Sequence, residues 1–71
     1  MRRNVKRLLN NLYDDLSYNV KLIDRYIELH GFAISVGDDA TAKFYNTQVT
    51  YLYERNKQII TTINEIEKRV S

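Results

Sequence analysis

The sequence predicts an all-α fold, an antiparallel two-helix hairpin of the coiled-coil kind. The 71 residues include no proline and only two glycines, so almost nothing interrupts a helix. Both halves carry apolar residues in alternating steps of three and four, the spacing of a coiled-coil seam. Seam positions in the two halves also pair so that their residue numbers sum to 75, as expected if two antiparallel helices fold back between Gly37 and Asp38.

The first helix is expected over about residues 4–36, with Gly37 as the left-handed residue that closes it. Gly31 suggests an alternative in which this helix ends near His30. We favour the long helix because its apolar stripes continue past Gly31. A glycine inside a helix costs only about 1 kcal/mol relative to alanine, which packing can offset.

The second helix is expected over about residues 39–70, after a turn at about 37–38, which makes residues 1–71 a single domain. Asp38 and Asp39 lie where a capping oxygen and a first-turn carboxylate favour the start of a helix. Lys68 and Arg69 lie in the last turn, where cations suit the helix dipole.

The constant sum specifies which seam residues should face each other, with the heptad lettered so that the seam falls at positions a and d. The expected pairs, from the open end of the hairpin to the turn, are Val5 with Val70, Leu9 with Ile66, Leu12 with Ile63, Leu16 with Ile59, Asn19 with Asn56, Ile23 with Leu52, Tyr26 with Val49, His30 with Tyr45 and Ala33 with Ala42.

A second apolar stripe follows the e positions of both helices, on one side of the seam. Two helices joined by one seam rarely bury enough surface to offset the entropy of ordering the chain. We therefore expect this stripe to be a homodimer interface, so that two hairpins form a four-helix bundle. Its residues are Tyr13, Val20, Ile27, Ile34, Tyr53 and Ile60.

Polar residues in the seam have a structural interpretation. Asn19 and Asn56 should face each other, and a buried amide pair fixes the register of a coiled coil. His30 is expected opposite Tyr45, where the two side chains could share a hydrogen bond. General acid-base catalysis needs a cleft and a second oriented group, and two helices provide no cleft.

No catalytic, cofactor-binding or metal-ligating motif is present in the sequence. There is no cysteine, only one histidine, no glycine-rich phosphate loop and no nucleophile elbow. We therefore expect a protein that is not an enzyme and has no cofactor. Phe44 and Tyr51 lie seven residues apart at outward c positions, and exposed aromatic rings are common at interfaces. They predict a surface that binds a partner protein.

The charges provide an alternative. The turn end is acidic through Asp24, Glu28, Asp38 and Asp39. Basic residues collect at the open end and predict a small RNA- or DNA-binding regulator, in which they would contact phosphates. These are Arg2, Arg3, Lys6, Arg7, Lys68 and Arg69.

A weaker alternative function is a structural subunit of a larger assembly. No apolar run approaches the roughly 18 residues of a membrane span, and no signal peptide is visible, so no membrane role is expected. A chain without cysteine suits a reducing cytoplasm. The abundance of Asn, Ile, Tyr and basic residues suggests an AT-rich genome, such as that of a low-GC bacterium or its phage.

Overall fold

The computed structural model describes residues 2–70, with side chains from residue 3 onward, and has the predicted helical hairpin. Helix α1 spans Arg2–Ser35 and helix α2 spans Asp39–Val70. The two helices pack against each other along a rod measuring 53 × 15 × 12 Å. The described residues contain no strand. Met1 and Ser71, the ends of the predicted domain, lie outside the described residues.

The helix boundaries differ from the expected ones by one or two residues. Helix α1 begins two residues before residue 4 and ends one residue before residue 36, whereas α2 has the expected bounds. Helix α1 passes through Gly31 without interruption. A Cβ atom built on Gly31 would meet nothing within 4 Å, so no close contact requires a glycine there.

A short turn, residues 36–38, joins the two helices. Gly37 has a φ of 74°, and its N–H donates to the carbonyl of Ile34 over 3.1 Å. The Asp38 N–H donates to the carbonyl of Ala33 over 2.9 Å, which completes a Schellman motif. Asp38 also caps α2, because its Oδ1 accepts from the Thr41 N–H and its Oδ2 from the Thr41 hydroxyl, at 3.1 and 2.7 Å. These hydrogen bonds hold the pKa of Asp38 below its ordinary value.

The two glycines should respond in opposite directions to the same substitution. Gly31→Ala should stabilise the protein by about 1 kcal/mol, because Gly31 is helical and the new methyl group meets open space. Gly37→Ala should destabilise it by about 1–2 kcal/mol, because an L-residue is strained at positive φ. Urea denaturation of the two variants measures both effects. Equal signs would contradict the different backbone roles of the two glycines.

The core consists of seam residues. Asn56 is the buried polar residue among them, and the buried apolar residues are Ile23, Ala33, Ala42, Leu52, Ile59 and Ile63. Burial is weakest at the open end, where Val5 is half-buried and Val70 is 58% exposed. The core is therefore a single line of side chains. Its buried members lie mostly near the turn and in α2.

The hydrogen bond that His30 and Tyr45 could share near the turn is not formed. Within the described residues these two side chains share no hydrogen bond. The Tyr45 ring instead stacks on the Tyr26 ring, with centroids 5.7 Å apart and planes at 27°. Stacked aromatic rings stabilise each other beyond the area they bury, so this contact supports the seam beside the turn.

Candidate functional site

The e-position stripe is an apolar surface that the hairpin leaves uncovered. We call it the association flank. It comprises Tyr13, Val20, Ile27 and Ile34 of α1 with Tyr53 and Ile60 of α2. Each of the six side chains is between 45% and 54% exposed. Because each is partly covered by its own hairpin and open on the other side, the flank is suited to packing against another surface.

One hydrogen bond shows how the two halves of the association flank are aligned. The Tyr13 hydroxyl donates to Oε2 of Glu67 over 3.1 Å, so the e positions of α1 and α2 lie on the same side of the seam. This hydrogen bond, with smaller contributions from desolvation and the carboxylate charge, raises the pKa of Tyr13. These two residue numbers sum to 80, five more than the seam pairs, so the bond joins residues about 7 Å apart along the rod.

The amide pair lies in the middle of the hairpin, within the seam. Nδ2 of Asn19 donates to Oδ1 of Asn56 over 3.0 Å. Asn56 is only 7% exposed and Asn19 is half-buried. Among the described side chains no buried polar atom lacks a hydrogen-bond partner. The pair can therefore hold the register without a ligand.

Exposed aromatic rings occupy the other side of the seam. Phe44 and Tyr51 are 55% and 65% exposed, and the Phe44 ring meets the Tyr45 ring edge-on with centroids 5.4 Å apart. Heptad geometry places c and g positions of both helices on the side opposite the e positions. We call this surface the aromatic flank and define it as Tyr18, Phe32, Val36, Phe44 and Tyr51.

Phe32 is a residue that the sequence analysis did not assign to any site. It is 66% exposed, more than the two aromatic residues singled out for partner binding. The sequence could have indicated this residue, because Phe32 occupies the same heptad position as the aromatic Tyr18, two heptads away. The structure adds it and the 60%-exposed Val36 to the part of the aromatic flank nearest the turn.

The basic residues lie at the open end of the hairpin. The side chains of Arg3, Lys6, Arg7, Lys68 and Arg69 are exposed, whereas the Arg2 side chain lies outside the described part of the chain. A shallow groove of about 350 Å³ lies among them, lined by Val5, Lys6, Leu9 and Val70. The apolar residues that line this groove are the seam residues at the open end of the hairpin.

Within residues 2–70 no group of three or more His, Asp or Glu side chains is placed to hold a metal ion. Neither described helix is long and apolar enough to cross a membrane.

No protein-family profile matches this chain, and neither any curated protein nor any solved structure shows significant similarity to it.

Proposed function

We propose that this chain is a small non-enzymatic protein-binding module that acts as a homodimer of helical hairpins. The association flank joins the two copies, and the aromatic flank binds a partner protein. One observation carries the proposal. Large apolar side chains are exposed on both sides of a seam that is one side chain wide. Soluble proteins keep contiguous exposed apolar surface mainly where another molecule covers it.

The energetics favour self-association of this hairpin. No described side chain falls below 2% exposure, so the hairpin alone buries little. Covering the exposed half of an aliphatic side chain contributes about 1 kcal/mol. For Val20, Ile27, Ile34 and Ile60 in two copies the gross gain is about 8 kcal/mol. This gain is comparable with the cost of association, about 4–15 kcal/mol, so a stable dimer also needs the area that Tyr13 and Tyr53 bury on the same flank.

The aromatic flank suits a protein partner. Tyrosine and phenylalanine supply large contact areas with few rotatable bonds, which makes them frequent centres of binding energy. In the proposed dimer this flank faces away from the second copy. Phe44, Tyr51 and the newly assigned Phe32 thus remain available for a partner in both copies.

Nucleic-acid binding is a second candidate, favoured by the exposed basic residues at the open end. Phosphate contacts release counterions, so such binding would fall steeply with salt. Contacts made by apolar and aromatic side chains depend only weakly on salt. The two candidates therefore differ in a measurable quantity.

The test combines one aromatic and one basic double variant. Wild type, Phe44→Ala/Tyr51→Ala and Arg3→Ala/Arg7→Ala are immobilised and exposed to source-cell lysate, with and without nuclease. Bound proteins are quantified across a salt series. We expect the aromatic variant to lose a nuclease-resistant, salt-tolerant partner at least tenfold. The arginine variant should retain it.

A direct nucleic-acid arm completes the test. Random-sequence RNA and duplex DNA are titrated with the same three proteins, and circular dichroism verifies that each remains helical. Tight, salt-sensitive nucleic-acid binding that disappears in the arginine variant would replace the protein-partner proposal with the nucleic-acid one.

A further inference from the structure

We propose that the two copies lie antiparallel across the association flank, with the basic open end of each hairpin beside the acidic turn end of the other. This inference rests on the proposed homodimer and specifies its geometry. Two observations carry it: the opposite charges of the two ends, and the position of the apolar flank along the rod.

The hairpin has a strong charge gradient along its length. The open end, residues 1–13 and 62–71, has six cations and two carboxylates, a net charge of +4. The turn end, residues 24–43, has four carboxylates and two cations, a net charge of −2. The remaining middle segments carry equal numbers of positive and negative side chains, so the charge lies at the ends.

Because the rod is long, the charges at one end act independently of the charges at the other end. The hairpin is 53 Å long, and charges in physiological salt are screened over about 8 Å. Opposite ends of one hairpin therefore scarcely interact. Parallel pairing would bring two +4 ends together, whereas antiparallel pairing places each +4 end next to a −2 end. Charge complementarity consequently selects the antiparallel dimer.

The apolar flank is centred where an antiparallel twofold axis can use it. In α1 its four residues, Tyr13 to Ile34, are spaced symmetrically about a point between Ile23 and Asp24. In α2, Tyr53 and Ile60 lie level with residues 22 and 15 of α1, by the alignment of the Asn19–Asn56 pair, and extend the stripe toward the open end. A twofold contact must be self-complementary, and the evenly spaced α1 stripe satisfies this requirement about its own centre.

The centre of the α1 stripe predicts a register. In α1, residues facing each other across the axis have numbers that sum to 47, so Val20 meets the partner's Ile27 and Tyr13 meets the partner's Ile34. At the ends, the level of Arg7 falls about three residues beyond Gly37 of the second copy, just past its turn. This places Lys6 and Arg7 within about 8 Å of the partner's Asp38 and Asp39 along the rod.

The arrangement also changes the role of the basic end. In a parallel dimer the two clusters would merge into one larger basic surface. In the antiparallel dimer they lie about 60 Å apart, at a rise of about 1.5 Å per residue, and each is partly neutralised by the other copy's turn. The basic residues then orient the dimer.

Spin-label distances test the orientation directly, because a chain without cysteine accepts single labels cleanly. Asn4→Cys marks the open end and Lys21→Cys marks the centre, and both positions are exposed outside the association flank. We expect an inter-copy distance of about 60 Å for Asn4→Cys and below about 30 Å for Lys21→Cys. Sedimentation equilibrium of each labelled protein reports the oligomeric state.

The outcomes separate the inference from the proposal beneath it. Short distances at both positions in a dimer would overturn the antiparallel orientation and leave the homodimer standing. Monomers without dipolar coupling would overturn the homodimer itself. The salt dependence of the dissociation constant is an independent test. Raising salt should weaken the antiparallel dimer several-fold, because it screens the attraction between opposite charges. It would tighten a parallel dimer, because it screens the repulsion between like charges.

Discussion

Val20→Glu combined with Ile27→Glu should convert the homodimer into monomers. Both side chains are 48% exposed at the centre of the association flank, so the hairpin itself can hold glutamates there with their carboxylates in water. In the dimer four carboxylates would be brought together around the twofold axis and out of water, at a cost of several kcal/mol. A loss of at least 4 kcal/mol weakens dimerisation about a thousand-fold.

Sedimentation equilibrium measures this loss, and the chain offers a matched control. Thr47→Glu with Thr61→Glu adds the same two charges at exposed f positions of α2, away from the flank, and should leave the dimer intact. Circular dichroism shows whether the separated hairpins keep their helices. Wild-type protein that is monomeric and fully helical at high micromolar concentration would refute the dimer.

Replacing both Asn19 and Asn56 by leucine should raise the stability of the hairpin by about 2–4 kcal/mol. The amides face each other 3.0 Å apart in the seam, and two leucines would replace one hydrogen bond by apolar burial. Asn56→Leu alone should destabilise the protein by about 1–3 kcal/mol, because it leaves the amide of Asn19 facing an apolar side chain. The two substitutions are therefore strongly non-additive.

Stability is not the only property that the amide pair controls. A seam of leucines and isoleucines tolerates shifted registers and other helix numbers, which a buried amide pair disfavours. The double leucine variant should therefore populate additional oligomers in sedimentation velocity. Denaturant melts of the single and double variants complete the cycle. A double variant less stable than wild type would mean that the amides support another network.

Heptad spacing predicted the seam and the hairpin because both depend on which positions are apolar, a property that the sequence states directly. The turn was equally accessible, since a left-handed closing residue favours glycine and Gly37 lies between two long periodic segments. Helix α1 continues through Gly31 because the seam on either side holds it in place.

Ring packing was less accessible to sequence reasoning. The possible hydrogen bond between His30 and Tyr45 is not formed, and the stacking of Tyr45 on Tyr26 was not foreseen, since rotamers decide how neighbouring rings meet. Phe32 was overlooked because the aromatic stripe was traced along the second helix alone, and Phe32 joins that side of the seam from α1. The association flank follows from the heptad pattern and the exposure of its side chains together, whereas the proposed orientation of a second copy on it depends on charges along the whole rod.

The antiparallel seam also has a consequence for how the chain folds. Near the turn, the members of a seam pair are close in sequence and cost little entropy to bring together, and the buried pair Ala33 and Ala42 lies there. Each further pair toward the open end is then added next to one already formed. Pairing of the two helices can therefore begin at the Schellman turn and propagate toward the open end. Fraying should begin at Val5 and Val70, where the seam residues are least buried.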